Sequence, residues 1–156
     1  CGPDGRRRVG VDDLDLGYRH SAVAPGEVVA AAGFALRRGD AEAIAARLAE
    51  FRAHRRATQP QGVRTFGSVF TNPPGESAGR PLEAPGCKGP AVGGARFPPV
   101  HANFLGASPG CRSADVLALM GEGRRRVARA GGPVLHPEVR YLDPRRGIVH
   151  APVEEP

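Results

Sequence analysis

The 156-residue chain has no tryptophan, one methionine, two tyrosines and a single lysine, Lys88. With aromatics at only 5% of residues, there is little for nucleic-acid bases to stack on, which disfavours a single-strand reader built on aromatic platforms. No apolar run approaches the roughly 18 residues that a membrane span requires, and no charged-then-apolar leader opens the sequence. The expectation is a cytoplasmic protein with no membrane partner. The three cysteines, Cys1, Cys87 and Cys111, are odd in number and lack CxxC or Cys/His ligand spacing. That argues against a disulfide framework and predicts no metal site; they read as small buried or incidental thiols.

What the chain has in plenty is arginine, glycine and proline. Hydrophobic residues at 40% and charged residues at 24% are the balance of a folded globular protein, and the length allows one domain, or one domain and a remnant of another. The formal charge of +6 suits nucleic acid, an anionic surface or a phosphate-bearing ligand, and the sign alone does not choose. The runs Arg6-Arg7-Arg8, Arg55-Arg56 and Arg124-Arg125-Arg126 keep open a small basic nucleic-acid-binding module. Two of the three lie in or beside predicted helices, where a solvated face is the ordinary explanation, and no nucleic-acid motif is present.

Along the chain, Leu14 and Leu16 alternate with Asp13 and Asp15 as in an edge strand, and the apolar run within 27–36, after the Pro25-Gly26 turn, predicts a buried strand. Asp40 is placed to cap a helix over 40–57, with Ile44, Leu48 and Phe51 on one face. Gly- and Pro-rich sequence over 61–112 predicts short strands at 65–70, 91–97 and 102–105, joined by functional loops. Ser113 is the expected N-cap of a second helix ending at Gly131-Gly132, with Val116, Leu119, Met120 and Val127 as a stripe interrupted by Gly121 and Gly123. A closing strand is expected over 134–142, followed by a loose tail. The predicted class is α+β, a small mixed or antiparallel sheet packed against two main helices.

Seven short pieces carry more than composition does: Tyr18-Arg19-His20-Ser21, Gly67-Ser68-Val69-Phe70-Thr71-Asn72-Pro73, Ala78-Gly79-Arg80, Gly86-Cys87-Lys88-Gly89, Gly93-Gly94-Ala95, His101-Ala102-Asn103-Phe104 and Pro137-Glu138-Val139-Arg140. In this order and at these intervals the chain resembles the UDP-N-acetylenolpyruvoylglucosamine reductase family over residues 16–142. The resemblance implies an NADPH- and FAD-dependent reduction of an enolpyruvyl sugar nucleotide in peptidoglycan precursor synthesis, with UDP-N-acetylenolpyruvoylglucosamine as partner and no nucleic acid.

Hydride addition to one carbon of the enolpyruvyl double bond puts negative charge on its neighbour, so the site needs a cation and a proton donor. The resemblance carries these roles onto Arg19, whose guanidinium fork holds a carboxylate, onto Ser68 as proton donor, and onto Glu138 as a group that polarises or reprotonates the donor or orients the enol. Asn72 and Lys88 are the implied substrate-binding residues; His101 and Asn103 are read as shaping a loop. The family usually carries a lysine where Thr71 stands, and prolines at 81, 85, 90, 98 and 99 depart from its pattern. The implied organisation is a C-terminal remnant of the FAD-binding domain and junction over 1–39, a substrate-binding domain over 40–143 and a tail over 144–156. Because FAD sits mostly in sequence that this chain does not contain, and the chain opens on Cys1 with a charged stretch, Asp4 to Arg8, a fragment is expected. An inactive, diverged reductase fragment is the other alternative.

Overall fold

The computed structural model describes residues 1–2 and 5–153; Asp4 of the charged stretch and residues 154–156 of the expected tail lie outside the described residues. The chain divides into two compact units, Cys1–Asp40 and Ala41–Pro156.

The first unit is held by polar contacts. A short 3-10 helix spans Asp12–Leu14, where alternation predicted a strand. The Arg7 guanidinium binds the Glu27 carboxylate through Nε and Nη2 at 2.8–3.0 Å, and Glu27 also accepts the Ala24 amide at 2.9 Å. These bonds hold the Glu27 carboxyl below its ordinary pKa, the Ala24 amide contributing most. The apolar run over 27–36 forms no strand, and Phe34 and Leu36 are 80% and 88% exposed. A buried strand needs a ladder partner and a face to pack on, and this unit's described residues contain no strand.

The second unit contains three helices and six strands among its described residues: α1 Ala41–Thr58, β1 Arg64–Ser68, α2 Gly79–Glu83, β2 Ala91–Val92, β3 Ala95–Arg96, β4 Phe104–Ala107, α3 Ser113–Arg129, β5 Arg140–Asp143 and β6 Gly147–His150. One antiparallel sheet runs β1-β4-β3-β2 and a second pairs β5 with β6, so the α+β class stands. Helix α3 covers the β2–β3 hairpin and α2. Its buried Leu119, Met120 and Val127 join Phe70, Leu82, Phe97 and Leu105 in the core, each large apolar side chain contributing about 1.5–3 kcal/mol. Gly123 marks the closest approach: a Cβ there would lie 3.1 Å from the Phe97 ring and 3.2 Å from Leu82. The glycines that interrupt the stripe are where the helix meets its neighbours.

Three readings of this unit change. The N-cap of α3 is Arg112, not Ser113; the Asp115 carboxylate turns back to accept the Arg112 amide at 3.0 Å and the Gly94 amide at 3.1 Å, a carboxylate in the first turn acting where donors are unpaired. Helix α1 forms as expected but buries no residue, so Ile44, Leu48 and Phe51 pack on no sheet. The expected loose tail contains β6. Asp143-Pro144-Arg145-Arg146-Gly147 makes the hairpin turn, with Asp143 Oδ1 accepting both the Arg145 and Arg146 amides at 2.8 Å and Gly147 at φ 72°. Ala151 beyond it is buried in the core.

Candidate functional site

Strand β1 departs from its β4 register between Thr65 and Ser68, where Gly67 takes φ 77°. A glycine in the left-handed region is what such a bulge requires. The bulge ends the ordinary ladder at the Ser68↔Phe104 pair and leaves Ser68 half-buried at the sheet's end. Beyond it the chain switches partner: Phe70 bridges Pro137, the Glu138 amide donates to the Val69 carbonyl at 2.8 Å, and the Thr71 amide donates to the His136 carbonyl at 2.9 Å. Ser68 and Glu138, 70 residues apart in sequence, are thereby carried on adjacent segments, and Glu138 is half-buried. Thr71, standing where the family pattern has lysine, also donates its hydroxyl to the His136 carbonyl at 3.3 Å and so fastens this switch.

Asn72 follows on the same loop, exposed, with its Oδ1 accepting the Ala78 amide at 3.0 Å; that bond shapes the entry to α2. Lys88 is exposed and pairs with Glu83 at 3.1 Å. Glu83 also lines a 350 Å3 cavity with Glu76, Ser77, Arg80 and His101. His101 connects this polar cavity to the Ser68 loop. Its Nδ1 accepts the Asn103 amide at 3.1 Å, and its ring meets Phe104 edge-on at 4.8 Å. Burial lowers the His101 pKa and Lys88 adds to that, while Glu83 opposes both; a neutral ring with Nε2–H is the form that fits the bond. Asn103 does shape the loop, with bonds described below. Arg80 belongs to the Ala78-Gly79-Arg80 piece, which carries no role in the sequence reading, and Glu83 follows it by three residues with no sequence signal of its own.

Arg19 lies in the first unit, exposed, at φ 54°. It occupies the turn closed by reciprocal Gly17 and His20 backbone bonds of 3.1 and 3.2 Å. A left-handed non-glycine residue costs about 1 kcal/mol or more, so the turn holds this arginine in a backbone state that glycine would adopt freely. A larger apolar groove of 380 Å3 on β2, β3 and β4, lined by Pro60, Val63, Pro98 and Pro99, contains none of the predicted site residues.

The arginine runs are largely engaged within the fold. Arg124 is 5% exposed and donates to the Val153 carbonyl at 3.0 Å, Arg125 and Arg126 pair with Glu122 at 3.2 and 2.8 Å, and Arg7 is held by Glu27. The cysteines of the described residues are free thiols, with Cys87 buried and its pKa raised by that burial, and no cluster of metal-ligating side chains occurs among the described residues. Among the described residues no helix is long and apolar enough to cross a membrane.

The fold and the site define an α+β domain that presents a serine, a carboxylate and a polar cavity from one sheet end and its loops. The chain belongs to the UDP-N-acetylenolpyruvoylglucosamine reductase family: the model of that family's C-terminal domain matches residues 59–142. A UDP-N-acetylenolpyruvoylglucosamine reductase of Anaeromyxobacter dehalogenans is 49% identical over 139 residues, 89% of this chain and 42% of the relative. One of Syntrophotalea carbinolica is 41% identical over 142 residues, 91% and 48% respectively. The crystal structure of the Thermus caldophilus enzyme of the same name superposes with a TM-score of 0.69 at 36% identity, covering 81% of this chain and 45% of that one. The chain thus spans less than half the length of these relatives.

The residues at the start of α3 do not fit the diphosphate of FAD. At the start of α3, where a diphosphate would find free amides, the Asp115 carboxylate already accepts the Arg112 and Gly94 amides, and its negative charge opposes a phosphate.

Proposed function

We propose that this chain supplies the substrate-side half of a UDP-N-acetylenolpyruvoylglucosamine reductase acting in cytoplasmic peptidoglycan precursor synthesis. In this reading residues 1–39 are the remnant of the FAD-binding domain and its junction, 40–143 bind the sugar nucleotide, and 144–156 follow as the tail. In this reading hydride would come from a flavin reduced by NADPH, seated largely in sequence outside this chain. The chain's own residues bind the substrate and deliver the proton. Lys88 meets a phosphate as a point charge, Asn72 meets the uracil or sugar edge through its amide donors, and the Arg19 fork holds the substrate carboxylate as charge grows on it. Ser68 gives its hydroxyl proton to the carbon next to the one that received hydride, and Glu138 polarises or restores that hydroxyl.

The observation that carries this reading is the partner switch at Val69–Thr71, which sets the Ser68 and Glu138 backbones side by side at the sheet's end. The basic-module alternative is disfavoured by the engagement of Arg7, Arg124, Arg125 and Arg126 within the fold.

The test is a chimera joining the upstream part of the Anaeromyxobacter dehalogenans relative to this chain. It should hold flavin and consume NADPH beyond one equivalent per flavin only when UDP-N-acetylenolpyruvoylglucosamine is present. Ser68→Ala should leave flavin reduction by NADPH within about twofold and slow reoxidation by substrate about a hundredfold or more. A flavin-loaded chimera without turnover would overturn the reading. The chain alone should be colourless and inactive with added FAD, because donor and acceptor are not held together.

A further inference from the structure

The β1–β4 register ends at the Ser68↔Phe104 pair, and before Phe104 the chain turns at Ala102-Asn103. One side chain fills that gap. Asn103 is 3% exposed, its Oδ1 accepts the Phe70 amide at 2.9 Å, and its Nδ2 donates to the Phe70 carbonyl at 2.9 Å. Its own carbonyl accepts the Val69 amide at 2.9 Å. On the opposite edge the Val69 carbonyl accepts the Glu138 amide at 2.8 Å. The residue after Ser68 is therefore held on both edges, and the next one is gripped by an amide group that mimics a strand backbone. In turn the Asn103 backbone N–H donates to His101 Nδ1 at 3.1 Å.

We propose that Asn103 is a positioning residue for Ser68, its side-chain amide fixing the Val69-Phe70 backbone so that the serine hydroxyl is held for proton delivery. This rests on the donor role proposed above for Ser68. A bidentate amide cannot be replaced by a carboxylate, which lacks the donor, yet a protonated carboxyl group has both an O–H and a carbonyl oxygen. Burial raises the pKa of such a carboxyl, so the protonated form is reached at mildly acid pH.

The experiment compares Asn103→Ala and Asn103→Asp with wild type, by amide hydrogen exchange on this chain and by kinetics in the flavin-bearing chimera. Asn103→Ala should speed exchange at Phe70 about tenfold or more while Leu119 and Val127 stay within about threefold. It should also lower kcat about tenfold with KM within about threefold and flavin reduction unchanged. Relative to wild type at each pH, Asn103→Asp should recover both properties between about pH 7.5 and 5.5, and Asn103→Ala should not. If Asn103→Ala unfolds, with Leu119 and Val127 exchanging as fast as Phe70, the acid recovery of Asn103→Asp alone decides. Faster Phe70 exchange with kcat within about twofold of wild type would make Asn103 merely structural and overturn the proposal. If the wild-type chimera binds flavin without turnover, the functional reading fails separately; unchanged Phe70 exchange in Asn103→Ala then overturns the Asn103 backbone bonds as well, and fast exchange in Asn103→Ala with slow exchange regained in acid by Asn103→Asp upholds them.

Discussion

Helices α1 and α3 are nearly the same length, 18 and 17 residues, and both show apolar residues at helical spacing, yet one buries nothing and the other anchors the core. In α1, Ile44, Leu48 and Phe51 are each about half exposed. Phe51 has Arg47 over its ring at 5.5 Å, a cation–π contact within the helix itself. In α3 the same kind of stripe lies against α2 and the β2–β3 hairpin, and its Gly123 admits Phe97 and Leu82. Periodicity states which face of a helix can be buried; only the neighbouring elements decide whether it is.

The sharpest way to break this comparison is to truncate matching leucines. Leu119→Ala should destabilise the chain by about 2–5 kcal/mol, since a fully buried side chain leaves a cavity. Leu48→Ala should change urea stability by no more than about 0.5 kcal/mol. Equal losses at the two sites would mean that α1 is packed in solution.

A second prediction probes the α3 start. A Cβ on Gly94 would lie 2.6 Å from the Cys111 Cα and 2.7 Å from its Cβ, a backbone contact that cannot swing away. Gly94→Ala should cost about 1–3 kcal/mol by overpacking, whereas Gly33→Ala, with nothing nearby, should be close to neutral in the same urea titration.

The smallest expected effect is acid sensitivity. His101 has its pKa lowered from the ordinary 6.5 by burial, so below that value the unfolded chain takes up a proton that the folded chain refuses, and stability falls as pH drops toward the folded pKa. A second loss follows below the ordinary carboxylate values of 3.8 and 4.5, as Asp115, held low first by the Arg112 amide, and Glu122, held low first by Arg126, are protonated. Urea midpoints measured against pH should show the first slope in wild type and lose it in His101→Gln. An unchanged slope in that variant would assign it elsewhere.

Much of this was legible from residue order. The α+β class, the span of α1, the body of α3 and the short strands around 65–70, 91–97 and 102–105 follow from spacing and from turn residues. The family was legible because its motifs are local strings. The tail hairpin has a local signal too: Asp143-Pro144 followed by Gly147 is the chemistry of a type I turn closing on a left-handed residue. The cap of α3 was misplaced by one residue because Ser113 is a better N-cap by type, whereas the Asp115 carboxylate turns back to the Arg112 amide.

Sequence by itself determined the two long helices, which positions carry chemistry-bearing side chains, and where glycine permits a bulge or a tight turn, because these depend on a residue and its near neighbours. Only the tertiary structure decided that 27–36 forms no strand, that α1 keeps its apolar face uncovered while α3 does not, that Arg124 is buried, and that Asn103 stands in for a missing strand beside Ser68. Each of these outcomes rests on a partner distant in the chain, since burial and ladder bonding are properties of pairs of segments. A one-dimensional pattern lists the candidates for such pairs without saying which of them meet.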